Sequence, residues 1–160
     1  METYKIILFS TSLIVFLSYF LAIIFKFGVQ KSYSDSYFKL KKENQWIFTV
    51  TIWGFAIPLL VIGGQHHFLF FLATLLIMAV GSAPAFKRGG LELKVHMFSA
   101  IGGIIAALVA FALTGMLFLA CLLTLIAGLI QFSKMDNKVW WIEAVMFLGV
   151  WSGLVMKALM

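Results

Sequence analysis

The sequence predicts an all-α bundle of transmembrane helices, and two observations predict it: the composition and the spacing of the charges. Of the 160 residues, 63% are hydrophobic and only 11% are charged, whereas a soluble domain is about half apolar and about a quarter charged. A water-soluble fold of this size would lack the polar surface to cover its core. Lysine-rich linkers and uncharged linkers alternate between long apolar stretches, which is typical of a chain that crosses a membrane repeatedly.

Six apolar stretches each come near the ~20 residues that a helix needs to cross the hydrocarbon core of a bilayer. They cover residues 6–25, 46–62, 68–86, 96–113, 116–132 and 139–156. No linker between them is long enough for a further domain, so we expect a single transmembrane domain over residues 1–160. Linker one, about residues 26–45, is the longest. Its alternation of serine with Tyr33, Asp35 and Tyr37 predicts a structured loop or a short interfacial helix.

The basic residues orient the predicted bundle. Each linker takes the number of the span that it follows. Ten of the twelve lysines and arginines lie in linkers one, three and five, while linkers two and four carry no formal charge. Because lysine and arginine are retained on the cytoplasmic side, we expect linkers one, three and five in the cytoplasm. Both termini then lie on the non-cytoplasmic side of a bacterial-type inner membrane. The net charge of +6 is thereby explained by topology, and no nucleic acid is expected as a partner.

Small residues recur at helical spacing in spans four and six. Ser99, Gly103 and Ala107 repeat every four residues, and Gly149 and Gly153 have the same spacing. Such residues let helix backbones approach closely where lipid offers no hydrophobic driving force between helices. The glycine pair is compatible with packing inside one bundle or with a homodimer formed through Gly149 and Gly153.

Ionisable residues inside membrane spans are costly and tend to face the protein interior. The only two such candidates are His96, which opens the predicted span four, and Glu143, about one turn into span six. The polar residues expected near the same level are Asp35, Ser34, Ser82 and Ser99. Together these six residues predict a binding pocket at the cytoplasmic boundary for a lipid headgroup, a small polar metabolite or a proton.

A purely interfacial explanation of these residues stays open. His96 would then cap its span, Asp35 would initiate a turn, and Glu143 would pair with Lys138 or Lys94. The Lys39–Lys42 stretch has two interpretations of its own, since it would suit anionic headgroups or form an ordinary solvated loop.

The sequence gives little support for catalysis or for a bound metal. Catalytic zinc commonly takes three protein ligands, but His66 and His67 lie at the opposite side of the predicted membrane from His96. No nucleophile motif, phosphate-binding loop or Cys-x-x-Cys pair is present. We therefore predict no cofactor, no metal and no catalytic residue, although a membrane hydrolase stays a third alternative.

The order of several short motifs resembles a family of uncharacterised bacterial six-span membrane proteins. The motifs are a serine-rich loop containing Asp35, a span that starts at Trp46, a glycine-and-proline helix end at Pro84, and a helix that opens at His96. They cover about half of the chain. The resemblance implies that Asp35, Pro84 and His96 belong to one site, and it implies no activity.

These observations lead to two functional expectations. The first is an integral membrane protein that binds or transports a small molecule or lipid at a polar pocket near the cytoplasmic face. The alternative is a non-catalytic subunit that packs into a larger membrane assembly, with membrane lipid or a membrane protein as its partner.

Overall fold

The computed structural model describes residues 2–160, and this part of the chain is all-α. Three short 3₁₀ helices, Ser34–Lys39, Lys42–Asn44 and Phe86–Arg88, lie in linkers one and three. The α-helices are α1 (Thr3–Phe27), α2 (Trp46–His66), α3 (Phe68–Ser82), α4 (Gly90–Leu113), α5 (Leu117–Phe132) and α6 (Lys138–Leu159). The predicted all-α bundle is confirmed, and so is the short helix expected in linker one.

Four of the α-helices are long and apolar enough to cross a membrane. These are α1, α2, α4 and α6, whose most apolar segments have mean hydropathies between 1.6 and 2.4. The other two are apolar but shorter, with 15 residues in α3 and 16 in α5. At 1.5 Å per residue they rise about 22 and 24 Å, against a hydrocarbon core of about 30 Å.

Helices that are consecutive in the chain pack against each other, and α6 completes the bundle. Helices α1 to α4 each contact the next along the chain, α5 packs on α6 and α4, and α6 also reaches α1, α2 and α4. Side chains tie neighbours together through backbone carbonyls: Ser12 Oγ donates to Phe55 O at 2.7 Å, and Trp151 Nε1 donates to Phe9 O at 2.9 Å. Such bonds matter in a bilayer because lipid tails offer polar groups no partner.

The small residues predicted to pack helices are buried within one chain. Ser99, Gly103 and Ala107 all lie in the interior of the bundle. A Cβ added at Gly149 would come within 2.6 Å of both methyl carbons of Leu123 on α5, and one at Gly153 would meet the ring of Phe111 on α4. Both glycines therefore serve contacts inside the protomer. The homodimer through Gly149 and Gly153 stays a prediction, although both glycines are buried in this protomer.

Several helix boundaries differ from the predicted spans: α1 begins three residues earlier, α2 ends four residues later and α6 ends three residues later. Two further differences bear on the site. Helix α3 ends at Ser82 instead of residue 86, because the residue before a proline is pushed out of the helical region and Ala83 has φ −120° and ψ 54°. Helix α4 begins at Gly90, six residues before the predicted start. His96 consequently lies nearly two turns inside α4 and does not open it.

The packing at Gly153 predicts that Gly153→Ala lowers the stability of the protein while Gly128→Ala does not. We expect Gly153→Ala to lower the free energy of unfolding by roughly 1–3 kcal/mol, because overpacking a filled core forces strain and Phe111 is fully buried. Gly128→Ala on α5 is the matched control, since nothing lies within 4 Å of the added Cβ and alanine is the better helix former by up to about 1 kcal/mol.

The measurement is thermal unfolding in detergent, with the oligomeric state determined in parallel. Equal melting temperatures for the two variants would contradict the packing described here. A change of oligomeric state in Gly153→Ala alone would instead favour the homodimer.

Candidate functional site

Linker one folds back into the bundle and carries Tyr33 into its interior. Gly28 ends α1 with φ 74°, a left-handed conformation that glycine adopts at no steric cost, and the chain then turns into the 3₁₀ helix Ser34–Lys39. The Tyr33 side chain has no exposed surface. Its ring lies 5.5 Å from that of Phe16, 5.6 Å from Trp140 and 5.6 Å from Phe147, measured between ring centroids. An aromatic cluster from α1, α6 and linker one thus anchors the loop.

Polar groups around Tyr33 are only partly paired. The hydroxyls of Tyr19 and Ser36 share a hydrogen bond of 2.8 Å, and Ser36 Oγ donates to Tyr33 O at 2.6 Å. The Tyr33 hydroxyl and the Trp140 Nε1 have no hydrogen-bond partner among residues 2–160. Burial raises the pKa of the Tyr33 phenol well above its usual range, so this hydroxyl is neutral wherever the fold exists.

Glu143 on α6 holds linker one through a hydrogen bond with its backbone. The backbone N–H of Tyr33 donates to Glu143 Oε2. The same side chain borders a cavity of about 30 Å³ between α3, α4 and α6, whose other walls are apolar, among them Ile77, Gly103 and Phe147. A cavity of this size has room for a single water molecule but not for a metabolite.

Asp35 ties linker one to linker three. Its carboxylate pairs with Lys87, and the Lys87 Nζ also lies 4.8 Å above the centroid of the Phe38 ring. The Asp35 side chain is mostly shielded while that of Lys87 is half exposed. Removing the lysine from such a pair costs more than removing one from an exposed pair, because it would leave a desolvated carboxylate without compensation.

His96 holds the other end of linker three. Its Nδ1 lies 3.1 Å from Ala83 O, which assigns the proton to Nδ1 because a carbonyl oxygen can only accept. The imidazole also stacks on Phe86, with ring centroids 4.3 Å apart and an interplanar angle of 21°. His96 is 3% exposed. The segment 83–88 is therefore held by His96 at Ala83 and Phe86 and by Asp35 at Lys87.

The three predicted serines lie in different surroundings. Ser34 and Ser99 are buried, Ser34 beside the Tyr33 backbone that Glu143 holds and Ser99 on the inner face of α4. Ser82 is exposed, and its hydroxyl donates to Met78 O on its own helix at 3.1 Å. The structure thus brings Ser34 and Ser99 to the interior and leaves Ser82 outside it.

Asp35, His96 and Glu143 gather at one end of the bundle without contacting one another. Across residues 2–160 no hydrogen bond or ion pair joins any two of them, and each instead holds a different backbone or side-chain group. The interfacial alternative is wrong for two of its three residues. His96 does not cap a helix, and within residues 2–160 Glu143 forms no ion pair with Lys94 or Lys138. Asp35 does lie in the first turn of the 3₁₀ helix in linker one, as that alternative expects.

A polar pocket of about 350 Å³ opens where linkers one, three and five meet. Its wall includes Lys31, Asp35, Lys39, Lys87 and Asn137. Asn137 contributes from linker five, where its backbone is left-handed with φ 55° and its side-chain amide donates to Val29 O at 3.2 Å. The pocket therefore carries three lysines against one carboxylate, and that carboxylate is already paired.

One of the two histidines at the other end of the bundle has a structural role. His67 Nδ1 accepts the backbone N–H of Leu69 at 3.1 Å and so caps the start of α3. No group of three histidine, cysteine, aspartate or glutamate side chains within residues 2–160 is placed to hold a metal ion.

Comparison with models of known protein families, with curated proteins and with solved structures gives no match. What the site can do is therefore argued from its own geometry.

Three residues of this site escaped the sequence analysis. The alternating pattern of linker one does not single out Tyr33, because Tyr37, Phe38 and Leu40 of the same linker are also aromatic or apolar. Lys87 was counted only as a topological charge. Asn137 gave one usable signal, because Asp136-Asn137 directly before an apolar stretch marks a turn.

The unequal pairing of two tyrosines predicts opposite effects of removing their hydroxyls. We expect Tyr19→Phe to cost roughly 0.5–1.5 kcal/mol of unfolding free energy, because it deletes the hydrogen bond to Ser36. Tyr33→Phe should be neutral or stabilising, because it deletes a buried hydroxyl without a partner.

Denaturation of the two variants in the same detergent measures this difference. A destabilisation of Tyr33→Phe as large as that of Tyr19→Phe would mean that the Tyr33 hydroxyl has a partner in solution.

Proposed function

We propose that this chain is a six-span protein of a bacterial inner membrane that binds a small molecule or lipid at its polar pocket near the cytoplasmic face. The observation that carries the proposal is the pocket of about 350 Å³ at the junction of linkers one, three and five. Residues from three separate linkers converge there, and buried anchors fix two of those linkers. A merely solvated set of loops needs no such anchoring.

The six-span topology is supported by the helices and by the charges together. Each uncharged linker joins a long helix to a short one, α2 to α3 and α4 to α5, as expected for hairpins that turn at the outer surface. The lysine-rich linkers all lie at the opposite end, beside the pocket. Asp35 and His96 both hold the segment 83–88 that contains Pro84, in keeping with the single site that the family resemblance implies.

Cysteine labelling tests the orientation. In a background carrying Cys121→Ser, we expect Gln65→Cys in the last turn of α2 to react with a membrane-impermeant maleimide in intact cells. Lys134→Cys in linker five should react only after the membrane is permeabilised, because basic linkers stay in the cytoplasm. Both positions are exposed, so a reversed pattern would show that the bundle is inverted.

The chemistry of the pocket favours an anionic or hydrogen-bonding ligand. Lys31 and Lys39 have no carboxylate within 4 Å in the described chain, whereas Lys87 is paired with Asp35. Unpaired lysines at the membrane surface attract anionic headgroups, at about 1 kcal/mol each. The small apolar cavity above Glu143 does not continue the pocket as an open passage, so the structure supports binding more directly than transport.

Ligand binding is the measurement that tests the proposed function. We expect the purified chain to retain lipid or a small molecule in native mass spectrometry, and we expect Asp35→Ala and His96→Ala to lose it while the helix content stays unchanged. The reason is that each variant frees one end of the segment 83–88, which forms a wall of the pocket. Lys134→Ala is the matched control, as an exposed cation of the same membrane side outside the pocket.

Retention of the ligand in both Asp35→Ala and His96→Ala would remove the proposal. Loss in Lys134→Ala to the same degree would reduce the binding to non-specific attraction by the basic surface.

A subunit of a larger membrane assembly is the second candidate, and the outer face of α5 favours it. Only Ala120 and Leu123 of this helix are buried, and a groove along the helix is lined by Cys121, Thr124 and Gly128. Small residues of this kind allow close approach of another helix. A stable protein partner after extraction in mild detergent would favour this candidate over a lipid-covered surface.

A further inference from the structure

A second pocket adjoins the polar pocket and shares Lys39 with it. This second pocket, of about 210 Å³, is lined by Lys26, Phe27, Lys39, Leu40 and Lys41. Lys39 therefore lies between the two pockets, and each pocket has two further lysines of its own. The second pocket holds no carboxylate, and its apolar side chains come from the end of α1 and from linker one.

The lysines around the two pockets are poorly compensated within the protein. Five of them line one pocket or the other, namely Lys26, Lys31, Lys39, Lys41 and Lys87. The one carboxylate among the lining residues belongs to Asp35, and it is paired with Lys87. In residues 2–160 the only other ion pair joins Lys5 to Glu2 at the opposite end of the bundle. The two pockets together thus carry five lysines against one carboxylate, an excess of positive charge that attracts an anion.

We propose that the two pockets form one site for a ligand with two phosphate groups, one in each pocket and both beside Lys39. This inference rests on the proposed function and narrows its ligand class. Basic pockets between helix ends on the cytoplasmic side are suited to lipid headgroups. The apolar side chains of Phe27 and Leu40 place acyl chains or other apolar substituents next to the second phosphate.

The side-chain amides of Gln30 and Asn137 in the polar pocket already donate to the backbone, so its lysines are the main recognition element. Gln30 donates to Phe27 O at 2.8 Å and to Gly28 O at 2.9 Å, and Asn137 donates to Val29 O. These amides shape the wall between the pockets and fix the backbone that carries Lys31. Lysine ammonium groups bind phosphate as point charges, so the number of phosphates decides the affinity more than the remainder of the headgroup.

Titration of lipids onto the delipidated full chain tests the two-phosphate site. We expect diphosphatidylglycerol, with two phosphates, to bind at least about tenfold more tightly than phosphatidylglycerol, with one, since the second pocket adds two lysines at about 1 kcal/mol each. The double variant Lys26→Gln/Lys41→Gln should abolish this preference and leave the binding of phosphatidylglycerol unchanged. Lys39→Gln should weaken both lipids, and Lys134→Gln should affect neither.

A parallel arm separates the two sources of such a ligand. Pyrophosphate that displaces diphosphatidylglycerol with the same dependence on Lys39 supports a soluble two-phosphate ligand, whereas no displacement by pyrophosphate supports the lipid. Equal affinity for the two lipids, or a preference that survives in Lys26→Gln/Lys41→Gln, would overturn the two-phosphate site. The proposed function would survive either result if His96→Ala, which leaves the lysines and Asp35 unchanged, still lost phosphatidylglycerol, so the failures of the two proposals are distinguishable.

Discussion

Hydrocarbon offers no hydrogen bonds, so backbone polar groups next to it depend on partners within the chain. The end of this bundle that carries the lysine-rich linkers is organised by that constraint. Glu143 accepts the Tyr33 backbone N–H, and His96 Nδ1 donates to Ala83 O. These two ionisable side chains of α6 and α4 thus satisfy backbone groups of linkers one and three. Linkers one and three lie against the helix ends because polar side chains of α6 and α4 form hydrogen bonds with their backbones.

This arrangement gives the ionisable residues a positioning use that is compatible with ligand binding. Asp35 and His96 fix the two ends of one short segment, and Glu143 fixes the start of the 3₁₀ helix in linker one. The lysines that line the pockets stand on these same linkers and remain exposed. The residues that hold the site and the residues that face a ligand are consequently different, and they respond to substitution in different ways.

The sequence predicts the apolar helices well because nearly every residue of a membrane span is apolar, so the signal extends over the whole helix. The starts of α2 and α3 agree with the predicted spans to the residue. The sequence predicts the site less well, because the partners of Glu143 and His96 are backbone atoms, which any residue supplies. The insertion of Tyr33 depends on rings contributed by α1, α2 and α6, and no local pattern shows that these rings converge. The charge pattern identifies the lysines, but it does not show that they line two separate pockets.

The low packing of α5 has a consequence for the lipid around the protein. In the six-span arrangement this helix rises only about 24 Å and has its outer face uncovered, while the equally short α3 is enclosed between α2 and α4. The bilayer must therefore thin by several ångströms along one flank alone, at a fraction of a kcal/mol for each ångström of mismatch. Such lopsided compression gives the molecule a preference for thinner membranes and a mechanical reason to turn that flank toward a neighbour.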